Sequence, residues 1–146
     1  MTTSLRRFLT QKNYVRVPLT ETGTGHLEFK ATINNIEGTF ILDTGASSSC
    51  VGFEGVEKFK LFAKESEVKA AGAGAIDMLT QISQNNIIQI GKWTKKNAEI
   101  VLFDLSHVNT ALENHKAEPV NGIIGADILR EGQAVIDYQY NCFYIK

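Results

Sequence analysis

One short stretch of the chain places a carboxyl where it could do acid–base chemistry. Phe40-Ile41-Leu42 is an apolar run that delivers Asp43 into the small, polar turn Thr44-Gly45-Ala46-Ser47-Ser48-Ser49. A carboxyl at the rim of a core is a tunable acid, because desolvation favours its neutral form and hydrogen bonds favour the charged one. Gly45 permits close backbone approach to that carboxyl, and the Thr44 hydroxyl can hydrogen-bond without adding bulk. By itself Asp-Thr-Gly also suits an ordinary turn in which Asp43 caps backbone N–H groups.

Other chemistries find less support. His107 and His115 stand eight apart, away from the usual metal-ligand spacings; neither they nor His26 have a cysteine pair nearby, so no metal site is expected. Ser47-Ser48-Ser49 lacks the Gly-x-Ser-x-Gly frame of a nucleophilic serine, and Ser47 reads as a supporting hydrogen-bond donor. Gly72-Ala73-Gly74 has no third glycine for a dinucleotide fingerprint, and Gly91-Lys92-Trp93 has no phosphate-loop frame, so no cofactor is expected. Asp127 reads as a first-turn helix carboxylate, Asp137 as a turn residue and Asp77 as a solvated carboxylate. Cys50 and Cys142 are too few for a disulfide scaffold, leaving one bridge or two free thiols; both read as packing residues, as do Trp93 and Tyr138.

The elements that must carry Asp43 are mostly strands. Leu27, Phe29, Ala31 and Ile33 alternate with Glu28, Lys30 and Thr32, so residues 26–34 form a strand with one apolar face. Further strands are expected over 14–19, 38–42, 50–51, 87–90, 97–103, 134–137 and 142–145, with turns at 20–25, Asn34-Asn35, Gly91-Lys92 and 139–141. The alternation of Ile76, Met78, Thr80 and Ile82 after the glycine-rich 70–75 stretch marks a hairpin over about 65–82. Short helices are expected over 105–114 and 126–130, and residues 53–64 are too interrupted by glycine for one. Closely spaced strands without a repeated βαβ pattern point to an all-β barrel or compact sandwich.

The composition fits one folded domain spanning 1–146. Of its 146 residues 43% are hydrophobic and only 2 are proline, which excludes a disordered or low-complexity chain. Lys plus Arg number 15 against 16 Asp plus Glu, so no dominant nucleic-acid-binding surface is expected. No run approaches the roughly 20 apolar residues that cross a bilayer, and no membrane partner is expected. Residues 1–12 show no secretory signal, so the location is cytoplasmic by default, or periplasmic if a leader has been removed.

Apolar-apolar-Asp-Thr-Gly-Ala-Ser, over Ile41 to Ser47, resembles the active-site motif of the aspartic proteases. Farther on, Asn121-Gly122-Ile123-Ile124-Gly125-Ala126-Asp127-Ile128-Leu129 resembles the apolar-apolar-Gly segment and short helix of the retroviral-type, or retropepsin-like, members. The retroviral enzymes usually carry an arginine where this chain has Ala126, which makes it more similar to the bacterial single-domain relatives. The resemblance covers about residues 25–145 and leaves residues 1–13 as an N-terminal extension. It implies a closed, compact β-barrel with a flap hairpin and one short C-terminal helix, and it places Ile123, Ile124 and Gly125 beside the Asp43 loop.

The same resemblance implies a function. Pepsin-type chains carry two Asp-Thr/Ser-Gly motifs and this chain carries one, so a pair of catalytic carboxyls requires a homodimer with Asp43 from each subunit. Thr44 would then bond across the two-fold axis, Gly45 would orient the carboxyl, and Ala46 and Ser47 would complete the support. The substrate would be an extended polypeptide, covered by a flap with Gly72, Ala73 and Gly74 at its tip. The alternative is a non-catalytic peptide-binding or dimerisation module on the same fold.

Overall fold

The computed structural model describes residues 2–65, 70–72, 75–78 and 80–146. The chain runs through helix α1 (Leu5–Gln11), strands β1 (Val15–Pro18), β2 (Thr20–Glu21), β3 (Leu27–Ile33), β4 (Ile36–Leu42) and β5 (Cys50–Gly52), and the single helical turn α2 (Gly55–Lys58). Strands β6 (Ala63–Glu65), β7 (Ala70–Gly72), β8 (Ala75–Met78), β9 (Gln81–Ile90) and β10 (Trp93–Phe103) follow. Helix α3 (Ser106–Asn114), β11 (Gly122–Ile124), α4 (Ala126–Glu131), β12 (Val135–Asp137) and β13 (Cys142–Ile145) complete the order.

Strand β3 turns its apolar residues Phe29, Ala31 and Ile33 inward, as the alternation predicts. It meets β4 through Asn34 and Asn35, whose positive φ values of 51° and 69° suit a tight hairpin that asparagine tolerates. From β4 the sheet continues through β11, β5, β10 and β9, and β9 returns to β3 with Thr32 opposite Gln89 and Ile33 opposite Ile88. Six strands thus close into a barrel, which removes their open edges. The order is not a simple meander, because β11 pairs parallel with β4 and β10 pairs parallel with β5.

The unbroken apolar run before Asp43 now has its reason. Phe40 points into the barrel with Phe59, Ile33 and Ile124, whereas Ile41 joins a second cluster of Cys50, Phe103, Leu105, Leu112, Val120 and Ile123 beneath α3. A strand buried on both faces has no polar side to show. A separate three-stranded sheet, ordered β1-β13-β12, packs on the barrel, and Phe143 meets Phe29 edge-on with ring centres 4.9 Å apart.

Several boundaries differ from those the periodicity predicts. Strands β9 and β10 extend over 81–90 and 93–103, and in the irregular stretch between their paired parts the side chains of Gln84, Asn85, Lys96 and Asn97 are solvated and break the alternation. Within the extension, α1 starts at Ser4, whose hydroxyl accepts the Arg7 N–H, and Leu9 anchors it against Cys142 and Tyr144. The expected 65–82 hairpin is described in part: β6 pairs with β9, and β7 with β8. Gly72 ends β7, while Ala73 and Gly74 lie outside the described residues. Among the described residues no helix is long and apolar enough to cross a membrane.

Candidate active site

Asp43 sits half-buried where β4 ends, and its backbone N–H donates to the Ile124 carbonyl at 3.1 Å. Strand β11 therefore runs beside the Asp43 loop, with Ile123 opposite Ile41 and Ile124 opposite Leu42. The Gly45 N–H donates to Asp43 Oδ1 at 2.9 Å, which fixes one carboxyl oxygen. Thr44 and Gly45 are exposed, and Ala46 turns inward against the cluster that holds Ile41 and Ile123.

Two glycines allow these segments to approach. A Cβ on Gly122 would lie 2.2 Å from the Cys50 carbonyl oxygen, so only glycine lets β11 slide between β4 and β5. One on Gly125 would lie 2.5 Å from the Ala46 carbonyl oxygen. That same carbonyl accepts the Ala126 N–H at 2.7 Å, which ties the middle of the loop to the start of α4.

Ser47, expected as a donor, is exposed and makes no hydrogen bond among the described residues; the buried hydroxyl is that of Ser49. Ser49 Oγ donates to Asp127 Oδ1 at 2.7 Å and accepts the Gly125 N–H at 2.9 Å. Asp127 Oδ1 also takes the backbone N–H of Ser49 at 2.9 Å and of Ile128 at 2.8 Å. Asn121 opens the second motif by accepting the Thr39 N–H on Oδ1 at 2.9 Å, so it registers β11 against β4. The sequence holds one signal for Asp127, a single carboxylate amid Ile123, Ile124, Ala126, Ile128 and Leu129; its partner Ser49, 78 residues away, has none.

Next to the loop, Cys50 is nearly buried, and burial pushes its thiol up to about 12 despite the Ile123 N–H, with the charges of Asp127 and Asp43 adding to the rise. A thiol so held is neutral and plays no nucleophilic part. Among the described residues no group of three or more His, Cys, Asp or Glu side chains is placed to hold a metal ion.

The sequence profile of the family described as aspartyl protease matches residues 29–128, from β3 through the Asp43 loop to α4. The chain belongs to the aspartyl protease family. Solved structures agree on the fold. A retropepsin-like aspartic protease from Rickettsia conorii is 18% identical with a TM-score of 0.58, over 90% of this chain and 91% of that one. The EIAV protease, solved with the inhibitor HBY-793, is 20% identical with a TM-score of 0.53 over 90% and 93%. The retroviral protease-like domain of Ddi1 from Leishmania major is 20% identical with a TM-score of 0.55 over 83% and 88%. No curated protein matches the sequence. This aspartyl protease therefore has the retropepsin-like barrel, and the family supports a peptidase as its enzymatic class.

Proposed function

We propose that this aspartyl protease is an endopeptidase that acts as a homodimer, with Asp43 of each subunit forming the catalytic pair. The observation that carries the reading is Asp43 itself, a half-buried carboxyl at the end of β4 with one oxygen held by the Gly45 N–H, in a chain with a single Asp-Thr-Gly. Two carboxyls about 3 Å apart share one proton, since like charges at that distance do not both ionise. The ionised Asp43 takes a proton from water as its oxygen attacks the scissile carbonyl carbon. The protonated Asp43 of the other subunit gives its proton to the carbonyl oxygen. Collapse of the tetrahedral intermediate breaks the C–N bond: the amine leaves with the proton that water surrendered, and a hydroxyl of the intermediate returns a proton to the carboxylate that had given one, which yields the acid product and restores the pair. No metal or cofactor enters these steps.

Two features support the partnership of two copies. A groove of about 300 Å³ lined by Thr44, Ala126, Leu129, Ile136 and neighbours opens beside the loop, and the outer edge of β12 has no strand neighbour among the described residues. An extended polypeptide suits such a site because backbone hydrogen bonds to strand edges and loops hold it without a fixed side-chain code. The testing experiment is cleavage of an unfolded protein across acidic to neutral pH by wild type and Asp43→Asn, over a range of enzyme concentrations. Specific activity should rise with concentration as dimers form, and Asp43→Asn should lower kcat/KM by on the order of 10³-fold or more. Undiminished cleavage by Asp43→Asn would remove Asp43 from the chemistry. If both proteins bind extended peptides and neither cuts them, the site is a peptide-binding groove.

A further inference from the structure

We propose that Asp127 is the positioning residue of the Asp43 loop, a role that rests on the reading of Asp43 as catalytic. The β11–α4 corner holds the loop at three places, and β10 adds a further hold where the Val101 N–H donates to the Ser49 carbonyl at 3.1 Å. Asp43 N–H reaches the Ile124 carbonyl, the Ala46 carbonyl receives the Ala126 N–H, and Ser49 closes the loop on Asp127. The first two are single backbone bonds, whereas the third is a directional relay. Because the lone pair of the Ser49 hydroxyl accepts the Gly125 N–H at 2.9 Å, its only proton goes to Asp127 Oδ1 at 2.7 Å. The backbone N–H of Ser49 adds a second bond to the same oxygen at 2.9 Å. Ser49 is 2% exposed, so these bonds compete with little water.

The start of α4 explains why a carboxylate is needed. Its N-cap is Gly125, which offers no side-chain acceptor, and the first turn's free N–H groups would otherwise go unpaired. The chain spends two of them on the loop, through Ala126 to Ala46 and Gly125 to Ser49, and Asp127 takes a third from Ile128. Loop and helix therefore complete each other's hydrogen bonds. Among the described residues no hydrogen bond joins Asp127 to Asp43. The effect of Asp127 on the chemistry passes through Ser49 and the loop between Ser49 and Asp43.

Three variants test this: Asp127→Ala, which removes the acceptor; Asp127→Asn, which keeps an oxygen in its place; and Ser49→Ala, which removes the relay. In peptide cleavage, Asp127→Ala should lower kcat on the order of 10²-fold, the scale of a displaced catalytic group, with KM within about threefold of wild type. Asp127→Asn should recover most of that loss, and Ser49→Ala combined with Asp127→Ala should be no worse than either alone. A second readout needs no activity. The Gly45 amide, bonded to Asp43 Oδ1 and making no bond of its own to α4, should shift in NMR spectra and exchange faster in Asp127→Ala and in Ser49→Ala but not in Asp127→Asn. A Gly45 amide unmoved in folded Asp127→Ala or Ser49→Ala, or additive losses in the double variant, would overturn the proposal. If wild type cleaves nothing, the endopeptidase reading falls while the Gly45 amide still decides whether Asp127 positions the loop.

Discussion

Cys50 shows how one side chain reports on the state of the site. Its thiol belongs to the cluster of Ile41, Phe103 and Ile123 beneath α3, and with burial pushing it up to about 12 it stays protonated at pH 8. Cys142 is also fully enclosed, so a thiol-specific chromogenic reagent should label neither residue in the folded protein and both once denaturant is added. Labelling of native protein within the mixing time would show that the β5–β11 seam opens. At this scale the chemistry of Asp43 is legible from its neighbours, because an apolar run ending in Asp-Thr-Gly states both the burial and the turn. The support of Asp43 is less legible. Ser47 stands where a donor is expected and is exposed, whereas Ser49 is buried, and its partner Asp127 is reached only after the chain has folded across 78 residues.

Among the elements, β11 does the most with the least. Three residues lie between β4 and β5, pairing parallel with one and antiparallel with the other, and two of them feed different apolar clusters. Gly122 is the point of closest approach, so Gly122→Ala should destabilise the fold by about 3 kcal/mol, measured by denaturant unfolding, because its Cβ would press on the fixed Cys50 carbonyl. Cleavage should fall with it if the strand moves away from the Asp43 loop. The hairpin of β3 and β4 is plain in the sequence, since burial on one face writes a period of two. The full lengths of β9 and β10 are not, because solvated Gln84, Asn85, Lys96 and Asn97 interrupt the alternation where the register shifts at Lys95/Ala98 and Ala98/Ile100. Helix α1 shows a single buried residue, Leu9, which leaves no stripe to read.

The whole molecule is a closed barrel with a three-stranded sheet beside it. Strand β13 has partners on both sides, so the outer edges of that sheet belong to β1 and β12, and Ile136 of β12 lines the same groove as Thr44. If two copies meet there, Ile136→Lys should weaken the dimer at least about tenfold, since a desolvated, unpaired ammonium opposes its own copy across a two-fold axis. Sedimentation against concentration measures the effect, and cooperative unfolding shows that the fold survives. A dimer of wild-type strength would place the contact on another face. The clasp between Ser49 and Asp127 also has a consequence for synthesis. Residues 43–49 leave the ribosome well before residue 127 does, and at ordinary elongation rates the interval is on the order of ten seconds. During it the nascent chain carries the acidic motif without the corner that holds it in place. The geometry of the loop is thus assembled late, only after the β11–α4 corner has emerged.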